Sequence, residues 1–236
     1  MVKIIFFAVL ILVTALSSTA FAEEREHIIS VSGEGKVEAP PDSATISIGV
    51  TSRDRNAAKV QAENARIATD VINAIAALGI DKKNIRTGNY SFKQRYRYDE
   101  NNGRQISDGY EVNNTVTINV NDLNKVGKVI DTALANGANR VDSLQFGIRD
   151  KESFQSEALR LAVRDAKRKA EIAAAELGKQ ILSVLSVSIN SAPIMTARTE
   201  NLMLMGNAKD ANFSTPIEAG TLSCSASVHI DFEISR

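Results

Sequence analysis

Residues 44–79, ATISIGVTSRDRNAAKVQAENARIATDVINAIAALG, change period partway along, and that change decides the fold. Ala44, Ile46, Ile48 and Val50 alternate with Thr45, Ser47, Gly49 and Thr51. This is the two-residue period of a strand with one apolar face. From Arg55 to Leu78 the spacing becomes helical, with Val60, Asn64, Ile67, Val71, Ile75 and Leu78 on one stripe. Gly79 stands where a left-handed cap ends a helix. A strand that feeds a helix of about 36 Å is the first half of a β-α-β unit.

The downstream chain supplies the second half. An extended segment from Arg86 to Tyr98 meets the tip DENNGR, in which Asn102-Gly103 is a hairpin turn signal. A return strand carries Tyr110, Val112, Val116, Ile118 and Val120 on one face. Asp122 then caps a helix with Leu123, Val126, Ile130 and Ala133, and a strand follows with Leu144, Phe146 and Ile148 inward. The order β-α-β-β-α-β predicts an α+β fold, a split sandwich with helices on one face of an antiparallel sheet.

An αββ unit is appended to this. Its long helix, Lys151 to Leu177, has an inner stripe of Ala158, Ala162, Ala166, Ala170 and Ala173 with Leu161 and Leu177. A strand over 181–189 and a final strand follow. In the latter Leu222, Cys224, Ala226, Val228, Ile230, Phe232 and Ile234 alternate with polar residues. Upstream, IISVSGEG (28–35) reads as a short strand closed by glycines, with Gly33-Glu34-Gly35 as a bulge or turn before the break at Pro40-Pro41.

Residues 1–22 read as a signal peptide. Lys3 precedes a 13-residue apolar run, Ile4 to Leu16, and Ala20-Phe21-Ala22 forms a small-residue exit. A membrane span needs roughly 20 apolar residues. The expected organisation is therefore a leader over 1–22 and one domain over 23–236. Within the domain, 28–150 forms the βαββαβ part with hairpin 86–121 projecting, and 151–236 adds the long helix and two strands.

Composition weighs against catalysis and nucleic acid. The 28 basic residues balance the 28 acidic ones, which excludes binding by bulk charge. One cysteine and two histidines, His27 and His229, leave little for a metal or for acid–base work. No G-x-S-x-G, H-E-x-x-H or G-x-x-x-x-G-K pattern occurs. No catalytic, cofactor-binding or metal-ligating residue is expected, and no cofactor. Cys224 falls on an apolar strand face and reads as an inert small hydrophobe. Tyr90, Phe92, Tyr96 and Tyr98 alternate with Lys93, Arg95 and Arg97, an interleaving also seen on RNA-binding sheets. The RNP signature is missing and the charge is balanced, so packed aromatics and solvated cations are the better reading.

Several stretches in order resemble the SIMPL-domain family of bacterial exported proteins, a domain of unknown function. They are ISVSGEGKVEAPPDSATISIGV, ALGIDKKNIRTGNY, GYEVNNTVTINVNDLNKVGKVIDTALANGAN, AVRDAKRKAEIAAAELG and PIEAGTLSCSASVHIDFEI, together covering essentially 28–235. Within that family the chain is most similar to the periplasmic immunogenic or outer-membrane-associated members. The resemblance implies a periplasmic protein, with peripheral outer-membrane association, linked to the stress response of the cell envelope, oxidative stress included. It brings no catalytic residues and no cofactor.

The expectation is therefore an exported, non-enzymatic structural or interaction protein that self-assembles as a homo-oligomer. The alternative is a ligand- or membrane-surface-binding module. The candidate self-association residues are Phe92, Arg95, Tyr96, Arg97, Tyr98, Ile106 and Tyr110, because the 86–121 hairpin is too long for its helices to cover. A second candidate contact is the apolar run Leu202, Met203, Leu204 and Met205 in the 193–216 loop, suited to peripheral contact with the envelope.

Overall fold

A computed structural model describes residues 27–100, 103–189 and 217–236, together with the backbone of 194–198. The expected leader at 1–22 and the apolar run at 202–205 lie outside the described residues.

The described residues form two antiparallel four-stranded sheets. Strand β1 (Ile28–Ala39) precedes β2 (Ser43–Asp54), helix α1 (Ala57–Ala77) and β3 (Ile85–Asp99). Then come β4 (Arg104–Val120), α2 (Val126–Ala135) and β5 (Arg140–Gly147). The αββ extension is α3 (Lys151–Glu176), β6 (Ile181–Ile189), β7 (Ile194–Arg198) and β8 (Thr221–Ile234). The first sheet has the order β3-β4-β2-β5; the second runs β1-β8-β6, with β7 also paired to β8. The α+β class and the βαββαβ unit are as the sequence predicts. The extension contributes a further short strand, β7, and its sheet is completed by β1.

In the first sheet the even residues Ala44, Ile46, Ile48 and Val50 pair in register with Val120, Ile118, Val116 and Asn114. The apolar members of these pairs pack with Val71 and Ile75 of α1 and Val126, Val129 and Ile130 of α2. Helix α1 begins at an Asn56 cap whose side chain accepts the Lys59 amide at 3.0 Å and is followed by Gly79 at φ +81°, which supplies the left-handed turn. Its buried stripe includes Asn64, 0% exposed, whose amide donates to the carbonyls of Val50 and Val112 at 3.0 and 3.4 Å.

The second sheet packs on α3 through Phe154, Ala158, Ala162, Ala166 and Ala170, against Leu222, Cys224, Ala226, Val228, Ile230 and Phe232. Two details differ from the sequence reading. The last buried alanine is Ala174 rather than Ala173, because the stripe keeps a strict four-residue step, and Leu177 is 65% exposed. Gly33-Glu34-Gly35 is neither bulge nor turn but the middle of β1. A Cβ on Gly33 would stand 2.1 Å from the Ala162 carbonyl oxygen, and one on Gly35 would stand 2.0 Å from that of Ala158. The glycines let helix backbone lie directly on strand backbone. Asp165 and Lys169 fasten that contact, accepting the Glu34 amide at 3.1 Å and donating to the Ser32 carbonyl at 3.0 Å.

Candidate functional site

The β3–β4 hairpin brings the seven candidate self-association residues together but divides them between two faces. Register pairs Phe92 with Val112 and Gln94 with Tyr110, so Phe92 and Tyr110 lie on the helix-side face; Tyr96 and Tyr98 continue that face by alternation. Phe92 and Tyr110 stack, ring centroids 5.6 Å apart. Arg95, Arg97 and Ile106 occupy the opposite face. Beyond α1 the helix side is bare: Tyr90, Phe92, Tyr96 and Tyr98 are 49, 44, 57 and 65% exposed. They form one aromatic stripe on an edge strand, with Tyr90 as its inner end. Gly109, at φ +88° and packed against the Asp54 carbonyl, sits where β4 carries one residue more than β3 and bends the outer hairpin. Arg95 reaches Asp108 of its own hairpin at 3.1 Å. Arg97 is exposed on the outer ladder.

The other face of this sheet holds a polar site that sequence reasoning missed. Register places Arg53, Glu111 and Lys93 in one row across β2, β4 and β3, with Thr51, Asn113 and Ser91 in the next. Glu111 is 6% exposed and lies beneath the cations. It accepts from Arg53 Nε at 2.7 Å, Lys93 Nζ at 3.0 Å and Asn113 Nδ2 at 3.0 Å. The Asn113 hydrogen bond, then those of Lys93 and Arg53, hold its pKa down to about 2.

Arg140 enters from β5 across Gly49, where a Cβ would stand 2.9 Å from its Nε. It donates to Thr51 Oγ1 and Asn113 Oδ1, each at 3.1 Å, and to both oxygens of Asp142. The resulting concavity of about 580 Å³ is lined by Thr51, Arg53, Lys93, Glu111, Asn113, Asn139 and Arg140. Its chemistry is that of a donor-rich surface. Glu111 stays ionised at neutral pH and cannot shuttle protons there, while the outer ends of Arg53 and Lys93, about 60% exposed, face solvent. No local pattern in the sequence flags this site; only the alternation of Glu111, Asn113, Thr115, Thr117 and Asn119 marks the face as polar.

The remaining chemistry-bearing residues are dispersed. His229 lies on the solvent side of β8, its Nδ1 3.1 Å from Ser32 Oγ and its Nε2 3.5 Å from Asp231. Cys224 is 0% exposed, and burial raises its thiol pKa. Among the described residues no group of three or more His, Cys, Asp or Glu converges as a metal site, and no helix is long and apolar enough to cross a membrane.

Comparison with known proteins gives one family. The SIMPL model, described as protein of unknown function (DUF541), matches residues 29–232. The 26 kDa periplasmic immunogenic protein of Brucella melitensis biotype 1 is 31% identical over 239 aligned residues, covering 97% of this chain and 95% of that protein. The uncharacterized protein YggE of Escherichia coli K12 is 30% identical over 167 residues, covering 68% of this chain and 64% of that protein.

Proposed function

The chain belongs to the SIMPL family, and from that membership we propose that it is an exported periplasmic protein with a structural or interaction role rather than an enzymatic one, self-associating through the β3–β4 hairpin. The periplasmic relatives and the leader pattern at 1–22 support the location. The observation that carries self-association is the aromatic stripe Tyr90, Phe92, Tyr96 and Tyr98. An edge strand with unpaired backbone groups and bare aromatic side chains is a template for another chain, and aromatics are favoured in interface cores. Support of the envelope under oxidative stress is the physiological setting that the family resemblance suggests for such an assembly.

Deleting Tyr96–Gln105 and closing the strands with a short turn leaves both helix-packed cores untouched. The expected result is a folded protein of lower solution mass by light scattering. Retention of the native mass, or a monomeric parent, refutes the role of the hairpin. The second reading, a ligand-binding module, is favoured by the concavity around Glu111, with Arg53 and Lys93 as donors for an anionic group. Calorimetric titration with anionic glycans that gave equal heats for the parent and an Arg53→Ala variant would refute it.

A further inference from the structure

Among the described residues, four of the five outer strands of the two sheets carry charge. Strand β1 has Glu34, Lys36 and Glu38; β3 has Arg86, Lys93, Arg95, Arg97 and Asp99; β5 has Arg140 and Asp142; β7 has Arg198. Strand β6, ILSVLSVSI, has none. Natural edge strands are normally blunted by charge against pairing with other chains, so β6 is the unguarded edge.

It is also apolar and bare. Leu182, Val184, Leu185, Val187 and Ile189 are 50–59% exposed. Register explains the exposure. Val184, Val187 and Ile189 stand opposite Phe232, Ile230 and Val228 and share their helix-side face. The β8 residues are at most 4% exposed beneath α3, whereas their β6 neighbours are more than half exposed. The glycine-mediated contact seats α3 on β1 and β8, so the helix meets β6 only marginally, with Ile181 packed against its core. Leu182 and Leu185 fall at the two register shifts of the strand, outside the regular ladder.

We propose that β6 is a self-association surface, covered by β6 of a second copy of this chain lying antiparallel to it across a two-fold axis. The absence of charge favours this occupant. A neutral strand meets its own copy with no like-charge contact, and a two-fold interface requires such a self-complementary patch. The five side chains expose on the order of 450 Å² together, more than half of the roughly 800 Å² per partner of a standard interface. The surface lies on the other sheet from the aromatic stripe and does not depend on it, so a chain with both can build assemblies larger than a dimer.

The test uses the mature protein. In a two-fold arrangement a residue near the axis meets its own copy, so Val187→Cys is expected to give a disulfide-linked dimer on mild oxidation. Lys36→Cys on the charged β1 edge, and the parent with its buried Cys224, are expected to stay unlinked. In the background lacking Tyr96–Gln105, light scattering is expected to show a dimer that Val184→Lys with Val187→Lys converts to a folded monomer. A monomer in that background before the lysines are added overturns the β6 inference and leaves the hairpin reading intact. Retention of full native mass there, lost when the lysines are added, refutes the hairpin and supports β6. Binding to phosphatidylethanolamine–phosphatidylglycerol vesicles by a monomer, abolished by the lysines, overturns the inference in favour of a lipid surface.

Discussion

Gly33→Ala inserts one methyl group between β1 and α3, and the geometry sets its cost. The new carbon would stand 2.1 Å from the Ala162 carbonyl oxygen, 2.5 Å from the Ala166 nitrogen and 2.7 Å from the Ala166 Cβ. Non-bonded heavy atoms settle at about 3.5 Å, so strand and helix must part by roughly 1 Å. Two of the three obstructing atoms are backbone, and no rotamer change relieves them. Parting also loosens Ala158, Ala162, Ala166 and Ala170, each 0% exposed, along the whole seam. Overpacking of this kind costs about 1–3 kcal/mol, and the loosened contacts add to it. Loss of glycine's freedom in the unfolded chain returns about 0.5–1 kcal/mol. The expected net loss is about 2–3 kcal/mol, a large part of the roughly 5–15 kcal/mol by which proteins are stable. Urea unfolding followed by circular dichroism should show the midpoint lowered by about 1 M. Gly147→Ala is the control, because its new carbon meets only Ser43 Oγ at 3.4 Å. Equal midpoints for the two variants would refute the backbone-contact argument.

The Glu111 carboxyl, held at about 2 in the fold against an ordinary 4.5, contributes stability that is full above about pH 4.5 and lost as the pH falls toward 2. The full shift corresponds to about 3 kcal/mol, and screening of the solvent-facing Arg53 and Lys93 reduces this to about 1–2 kcal/mol. Glu111→Gln should therefore cost about that much at pH 7 and much less at pH 2; urea titrations at both values check it, and a difference independent of pH would contradict it. Cys224 should react with a thiol reagent only on unfolding, since it is 0% exposed and burial disfavours its thiolate. Prompt stoichiometric labelling of the native protein would show that β8 is not packed as described.

What was legible in the sequence was whatever one period could carry. The alternation of β8, Leu222 to Phe232, and the stripe of α1, Val60 to Ile75, each repeat a single apolar face and are read without their partners. The glycines of β1 looked like a turn because their reason lies about 130 residues away, in the backbone of α3. The Glu111 site was equally hidden. Arg53, Lys93 and Glu111 come from three strands, and only the register of β2 with β4 and of β3 with β4 sets them side by side. The bareness of β6 was invisible for a related reason: ILSVLSVSI reads as an ordinary half-buried strand, and nothing local says where α3 stops.

Strand β1 pairs along its whole length with β8, Ile28 opposite Glu233 and Ala39 opposite Leu222, and β6 and β7 pair with β8 as well. Strand β1 therefore has no partner until β8 has been made. Closing a loop of about 200 residues is entropically costly and slow, so the second sheet forms only after β8 has been synthesised. Until then the chain stays open on that side, the condition in which a polypeptide can be threaded through a membrane. The same topology makes β8 the keystone. A stop codon before Thr221 removes β8 and, with it, the hydrogen-bonding partner of every other strand in that sheet.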